Sequence, residues 1–462
     1  VTSLSFSTLP LARAVLDNLD TLGYQSMTPV QAQALPQVLD GRDLIVQAKT
    51  GSGKTAAFGL GIVHRLDPSL FAIQALVLCP TRELAEQVAN ELRRIARALG
   101  NIKVVTLCGG SPIRPQVESL KFGAHVAVGT PGRLMDHIER NTVDLTAVHT
   151  LVLDEADRML DMGFYDDVTK IVKACPAKRQ TLLFSATYAD DIRKASARFL
   201  NKPAEIKLDS VHDASRIEQR FYEIDADRRH ALVAQLLEHF RPESTLAFCN
   251  TKAQCRELEE YLGARGFSAL ALHGDLEQRE REDVLVQFAN RSCSVLVATD
   301  VAARGLDIDG LDAVINVEIT PDPEVHIHRI GRTGRGDEKG LAFSLCAPHE
   351  MRWANQIEQY QGQSIVWANP KALKPAPGGR LRAPMVTLCI QGGKKDKLRP
   401  GDILGALTKD AGFAGSQIGK INILEFVSFV ALERSIAKQA FAHLSTGNIK
   451  GRRFKMRFMA EV

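Results

Sequence analysis

The segment Ala48-Lys49-Thr50-Gly51-Ser52-Gly53-Lys54-Thr55 carries the most specific chemistry in the chain. Gly51 and Gly53 allow backbone N–H groups to turn inward as an anion nest. A helix predicted to begin at Lys54 adds the partial positive charge of its N-terminus. Lys54 is then placed to reach the β- and γ-phosphates of a nucleotide, and the Thr55 hydroxyl to ligate Mg²⁺. The strict phosphate-loop pattern has Gly where this chain has Ala48, so the alternative is an ordinary Gly-rich turn. A second candidate is Asp154-Glu155-Ala156-Asp157. A carboxylate at the end of a parallel strand near a phosphate loop can hold Mg²⁺, the role expected of Asp154. Glu155 beside it can orient or deprotonate an attacking water. Asp157 could bond the hydroxyls of Ser185 or Thr187. Taken alone, the same four residues would suit an acidic first turn of a helix. A third candidate is His328-Arg329-Ile330-Gly331-Arg332-Thr333-Gly334-Arg335. Its arginines, separated by small residues, could converge on one phosphate and stabilise phosphoryl transfer; a basic surface loop is the bland alternative.

These groups need elements to hold them. Asp43 to Gln47, Ala75 to Cys79, Val126 to Val128, Leu151 to Leu153 and Thr181 to Phe184 read as buried strands. So do Leu246 to Cys249, Val295 to Ala298, Ala313 to Val317 and Leu341 to Leu345. Continuous apolar strands alternating with amphipathic stretches predict parallel sheets covered on both faces, here in two successive α/β blocks. Polar motifs follow the strands directly, at the edge where open α/β sheets bind ligands. The expected division is a first domain over 1–208, a hinge over 209–216 and a second domain over 217–366. A Pro- and Gly-rich linker over 367–383 and a small domain over 384–462 complete it.

Bulk properties narrow the class. The chain has 462 residues, 45% of them apolar, enough for several packed cores. No run of about 18 apolar residues occurs, and the N-terminus shows no secretory pattern, so a cytoplasmic protein with no membrane association is expected. The eight cysteines have no zinc spacing and read as free thiols of a reducing compartment. The formal charge of +4 conceals an asymmetry. From Lys371 to the end stand 17 Lys and Arg against 6 Asp and Glu, which leaves the rest of the chain acidic. A basic tail on an acidic body points to a polyanion partner.

The ordered motifs resemble those of the DEAD-box RNA helicases of the second helicase superfamily. The resemblance runs from about Leu4 to Ile365 and rests on Phe6, Gly23-Tyr24, Thr28-Pro29-Val30-Gln31, the phosphate loop, Pro80 to Leu84, Gly109-Gly110, Thr130 to Arg133, Asp154 to Asp157, Ser185 to Thr187, His273 to Asp275, Gln278 with Arg281, Ala298 to Asp307 and the arginine motif. Ala48 is ordinary in that family. The resemblance implies two RecA-like domains binding ATP and Mg²⁺. It implies that Gln31 reads the adenine edge, Phe6 stacks on the base, Thr50 to Thr55 cradle the phosphates, and Gly305 and Asp307 meet the ribose side. Arg332 and Arg335 would complete the site on domain closure. RNA backbone contacts would come from Thr81, Arg82, Gly110, Thr130, Gly132 and Arg133, and from Asn250, Thr251, Arg281 and Thr299. Asp157, Ser185, Thr187 and His328 would couple the two sites. The enzyme implied is an RNA-stimulated ATPase that unwinds locally.

After the linker, a β-α-β-β-α-β order fits an RNA-recognition fold. Its aromatic stacking pattern is poorly met. If Phe426 to Phe429 is the stacking segment, the second position is Leu424; if Phe429 to Leu432, it is Val427. Lys394, Lys395, Lys397 and Arg399, with Lys450, Arg452 and Arg453, favour phosphate contacts to a folded RNA. A DEAD-box core with such a tail is similar to the bacterial DbpA family. That likeness implies a monomer whose tail holds a 23S rRNA hairpin near the peptidyl-transferase centre during assembly of the large ribosomal subunit. The rival readings are an ATP-gated RNA clamp or chaperone, a general RNA helicase without rRNA specificity, and a DNA translocase.

Overall fold

The computed structural model describes residues 4–48, 52–185, 198–208, 217–303, 310–334, 339–377 and 381–459. They form two units, one up to Leu208 and one from Ile217 onward. The expected hinge at 209–216 lies outside the described residues.

The first unit contains β1 (Leu44–Gln47), β2 (Ala75–Leu78), β3 (Val104–Leu107), β4 (Val126–Gly129), β5 (Thr150–Leu153), β6 (Gln180–Ser185) and β7 (Ala204–Lys207). They make one sheet in the order β3-β4-β2-β5-β6-β1-β7, and every pairing is parallel. Successive strand residues point to opposite faces. Val46, Val77, Val128 and Val152 therefore join one core, with Phe58 and Val88 of the helices Lys54–Arg65 and Arg82–Ile95. Their neighbours Ile45, Leu76, Ala127 and Leu151 join another, with Leu134 and Ile171 of Pro131–Glu139 and Tyr165–Ala174. Burial on both faces explains why these strands read as unbroken apolar runs.

The second unit contains β8 (Ile217–Glu223), β9 (Thr245–Cys249), β10 (Ala269–Leu272), β11 (Val295–Thr299), β12 (Ala313–Asn316) and β13 (Gly340–Cys346). This sheet is also parallel, in the order β10-β11-β9-β12-β13-β8. The same unit carries β14 (Met385–Ile390), β15 (Ile418–Ile423), β16 (Ser428–Glu433) and β17 (Met456–Phe458), an antiparallel sheet in the order β15-β16-β14-β17. One face packs Leu388, Ile390 and Val430 against Ile403, Leu407 and Leu444. The first helix of the small domain is an α-helix, Pro400–Gly405, that continues as a π-turn over Ala406–Asp410. Gly401 and Gly405 are weak helix formers, so the regular helix is short.

The other face of this small sheet is covered as well. Thr387, Cys389, Phe429 and Ala431 are all buried. Ser292 Oγ lies 2.5 Å from Thr387 Oγ1, and Asn290 Nδ2 donates to the same oxygen at 3.2 Å. The Met385 N–H donates to the Arg291 carbonyl at 3.2 Å, and Arg457 pairs with Asp283 at 3.7 Å. The segment 367–383 is no bare tether. Ala368 N–H bonds Phe221 O at 2.8 Å, Ala376 N–H bonds Glu238 O at 3.0 Å, and Leu381 joins the core of the parallel domain. All eight cysteines are free and buried. Among the described residues, no helix is long and apolar enough to cross a membrane.

Candidate nucleotide and RNA sites

In the first unit β6 lies between β1 and β5. This order brings the end of β1, Ser185 at the end of β6 and Asp154 just after β5 to one stretch of the sheet edge. Lys54 is buried, and its Nζ donates to Ala48 O at 2.9 Å. The helix Lys54–Arg65 has Gly53 at its N-cap, and among the described residues no side-chain cap bond closes its first turn. Gly53 has φ +92°, and a Cβ there would sit 2.5 Å from Gln31 Nε2. Only glycine meets both conditions.

Gln31 is buried at 1% exposure and caps its own helix, its Oε1 accepting from Thr28 N at 2.9 Å. Its Nε2 donates to Gly53 O at 3.1 Å, and Thr28 Oγ1 donates to Ser52 O at 2.8 Å. The helix Pro29–Leu39 is thus tied to the phosphate loop through two side chains. An adenine would use the remaining N–H and lone pair of the Gln31 amide. Phe6 is 4% exposed and packs edge-on against Tyr24, so a stacked base needs the ring uncovered.

Asp154 is buried, and its Oδ1 accepts from Glu155 N at 3.1 Å. Burial pushes its carboxyl up to about 6, with Lys54 opposing the rise and Glu155 adding to it. Glu155 has φ +52°, a left-handed conformation costly for a side chain with a Cβ. Arg158 Nη1 donates to Glu155 Oε2 at 2.7 Å, and both side chains are buried. Asp157 is buried nearby, and Ser185 Oγ is a buried hydroxyl with no hydrogen-bond partner among the described residues. A divalent cation fits here. The Thr55 hydroxyl and the Asp154 carboxylate are hard oxygen donors, and the raised Asp154 marks a buried carboxylate only partly compensated by Lys54. Thr50, Gly51, Thr187, Gly305, Asp307 and Arg335 lie outside the described residues.

Farther along the same edge, β2 and β4 are neighbours and β3 follows. This gathers Thr81 and Arg82, then Thr130, Gly132 and Arg133, then Gly110. Thr81 caps its helix by accepting from Leu84 N. Gly110 has φ +72°, and a Cβ there would lie 2.0 Å from Arg82 Nη1. Arg133 Nη2 donates to Ser111 O at 2.9 Å. Arg82 Nε and Arg133 Nη1 are buried N–H groups with no acceptor among the described residues. Two arginines with unmet donors suit an anionic ligand.

In the second unit β9 lies between β11 and β12. Asn250 and Thr251 therefore stand beside Thr299, and Arg281 Nη2 reaches Ala302 O at 3.5 Å. His328 lies in the helix Pro323–Ile330, and Arg332 follows it, buried. His273 Nε2 accepts from Arg256 Nε at 3.1 Å, and burial, helped by Arg256, lowers its pKa, which keeps the ring neutral. In the small domain Lys394, Lys395, Lys397, Arg399, Lys450, Arg452 and Arg453 are all exposed. Lys450 Nζ donates to Lys397 O at 2.7 Å, so the two basic loops are tied together.

Three residues given no individual role by the sequence motifs stand among these groups. Arg158 directly follows the acidic tetrad. Arg329 stands inside the arginine motif, fully buried, and chelates Asp300 through Nε at 2.7 Å and Nη2 at 2.6 Å. Glu318 accepts from Asn250 N at 3.0 Å. The signal for Arg158 and Arg329 was their place within charged motifs; for Glu318 there was none beyond a carboxylate at a strand end.

Comparison with known proteins identifies the family of each domain. Residues 28–195 match the family model described as DEAD/DEAH box helicase, and residues 227–337 match the helicase conserved C-terminal domain. Residues 387–458 match the DbpA RNA binding domain. The chain is 53% identical to the ATP-dependent RNA helicase DbpA of Escherichia coli, over 98% of this chain and 99% of that one. It is 43% identical to the DEAD-box ATP-dependent RNA helicase CshA of Geobacillus kaustophilus, over 82% of this chain and 81% of that one. Among solved structures, S. cerevisiae Dbp5 bound to RNA and ADP BeF3 is similar at a TM-score of 0.73 and 30% identity, covering 79% of this chain and 96% of that one.

Proposed function

Because the chain belongs to the DEAD-box ATP-dependent RNA helicases, of the DbpA type, and is thus an RNA-stimulated ATPase, we propose that it remodels structured RNA, with 23S rRNA of the maturing large ribosomal subunit as its target. The observation that carries the RNA part is the joining of two exposed basic loops by Lys450 and Lys397 on the small domain. A compact cluster of cations on a folded module suits the closely spaced phosphates of a hairpin. Single-strand stacking on the sheet is disfavoured, since Thr387, Cys389 and Phe429 are buried.

In this reading Ser52, Gly53 and the N-terminus of the helix Lys54–Arg65 receive the phosphates. Lys54 turns from Ala48 O to the β- and γ-oxygens. Thr55 and Asp154 would hold Mg²⁺, which when bound neutralises charge on the phosphates. Glu155, held by Arg158, aligns the attacking water and takes up its proton. Arg332 and Arg335 supply positive charge to the transferring phosphoryl group. Arg82, Arg133, Asn250, Thr251, Arg281 and Thr299 bind the RNA backbone, where contacts carry little base information. Specificity is then left to the segment 384–462. The protein acts as a monomer in the cytoplasm, with domains at 1–208 and 217–366 joined through 209–216.

A strand-displacement assay tests this. A duplex joined to the peptidyl-transferase hairpin is expected to be displaced with ATP at least about tenfold faster than the same duplex joined to an unrelated hairpin. Equal rates on both would reject rRNA targeting and leave a general RNA helicase.

A further inference from the structure

We propose that Glu318 is a positioning residue for RNA engagement, fixing the Asn250–Thr251 loop and coupling it to the Arg329–Asp300 pair. The proposal rests on the reading of Asn250 and Thr251 as RNA contacts and asks what holds them.

Glu318 lies just beyond β12, whose neighbour β9 ends at Cys249, so its carboxylate stands directly beside the loop. It is 9% exposed, and both oxygens are engaged. Oε2 accepts from the Asn250 N–H at 3.0 Å. Oε1 accepts from Arg229 Nη1 at 3.0 Å and from the Gln254 amide. Gln254 passes the constraint on, its own Oε1 accepting the Thr251 N–H at 2.9 Å and the Thr251 hydroxyl at 2.8 Å. One carboxylate therefore fixes both loop residues, Asn250 directly and Thr251 through Gln254.

The same residue reaches the arginine motif through its backbone. Glu318 O accepts from Arg329 Nη1 at 2.9 Å, while Arg329 Nη2 donates to Asn250 Oδ1 at 3.1 Å. Asn250 is held at its N–H by Glu318 and at its side-chain oxygen by Arg329. Its exposed amide therefore presents Nδ2, the donor that a phosphate oxygen would accept. Arg329 also grips Asp300, next to Thr299, and belongs to the helix that carries His328 and leads to Arg332. A shift of the loop on RNA binding is thus resisted or transmitted by buried, charge-assisted bonds rather than by flexible surface chains.

The charge balance makes the test practicable. Arg229 is also paired with Glu350, so neutralising Glu318 leaves no isolated buried cation. In Glu318→Gln one position must present an N–H to Asn250 N, or to Arg229 and Gln254, which breaks the pattern at nearly constant volume. RNA-stimulated ATP hydrolysis of the full chain is measured against RNA concentration, then against ATP at saturating RNA. The expected result is a half-saturating RNA concentration raised roughly tenfold, with kcat and half-saturating ATP at saturating RNA within about twofold of the parent. Glu318→Asp, which keeps the charge but not the reach, should fall between. Gln254→Ala, which cuts the Thr251 arm and the capping box of the helix Lys252–Ala264 but keeps the bond from Asn250 N–H to Glu318, should raise half-saturating RNA with a melting temperature lowered by only a few degrees, and it decides the matter if Glu318→Gln does not fold. Parent-like RNA dependence in these variants, or a loss confined to kcat at saturating RNA, would overturn the proposal. Absence of RNA stimulation in the parent would instead remove the reading on which it rests.

Discussion

Arg158 Nη1 lies 2.7 Å from Glu155 Oε2, three residues away on the first turn after β5, with both side chains buried. The left-handed backbone of Glu155 turns its side chain off the strand, and Arg158 then fixes where that side chain points. A buried carboxylate that has to orient water gains from a charge-assisted partner that sets its direction. A strained residue beside Asp154 therefore has a local cause for its geometry.

Arg158→Ala is expected to lower kcat of RNA-stimulated ATP hydrolysis by about tenfold to a hundredfold, the equivalent of one lost hydrogen bond to a charged group. Half-saturating ATP should change little, because the phosphate loop is untouched. Arg158→Lys should recover part of the loss. Stopped-flow phosphate release checks this; a kcat equal to the parent would show that Glu155 holds its position without Arg158.

His326 gives a pH dependence. It is fully buried, both ring nitrogens lack hydrogen-bond partners among the described residues, and it packs 5.7 Å from the Phe221 ring. Burial, with Arg329 adding to it, lowers its pKa from 6.5 to about 3. Between those values the unfolded chain binds a proton that the folded chain refuses. Stability is therefore full above the unfolded pKa of 6.5 and is lost as pH falls toward 3. His326→Phe should remove this component and save on the order of 2 kcal/mol of the loss incurred by about pH 4.5. Urea unfolding at both ends of that range measures it. An equally steep acid limb in the variant would contradict the burial account.

The two phenylalanines of the small domain should behave oppositely. Phe429 is 2% exposed on a sheet face covered by the Asn290–Ser292 loop, whereas Phe426 is 66% exposed beside Lys394 and Lys395, which bond to the Leu424 and Glu425 carbonyls. Phe429→Ala should cost about 3 kcal/mol of stability. Phe426→Ala should leave the melting temperature alone and weaken hairpin binding by a few-fold or more, as loss of an exposed aromatic contact to RNA would. Calorimetry and fluorescence anisotropy on both variants separate the cases, and a binding loss confined to Phe429→Ala with unchanged stability would restore sheet stacking.

Much of this was legible because the chemistry sits at strand ends. Apolar runs such as Leu76-Val77-Leu78 and Leu151-Val152-Leu153 are long enough to mark buried parallel strands, and polar motifs follow each of them. The strand order, seen only in the structure, then puts the end of β1 on the same edge as Asp154. What escaped was long-range pairing. Arg229 and Glu318 are 89 positions apart, and nothing local to either announces the other. The covered face of the small sheet escaped for a related reason. Thr387, Cys389 and Phe429 alternate as an RNA-facing strand pair would, and only packing within the second unit shows that Ser292 and Asn290 occupy that face. The anchoring of the Pro- and Gly-rich segment likewise left no trace in the sequence, because isolated residues such as Leu381 give no periodic signal.

The most direct test of the account is steady-state ATP hydrolysis by the full chain with a panel of RNAs matched in length. The account predicts strong stimulation by an rRNA fragment carrying the peptidyl-transferase hairpin, weak stimulation by unrelated hairpins, and loss of that preference when Lys394, Lys450 and Arg453 are changed to Ala. Equal stimulation by every RNA, unaffected by those substitutions, would contradict it.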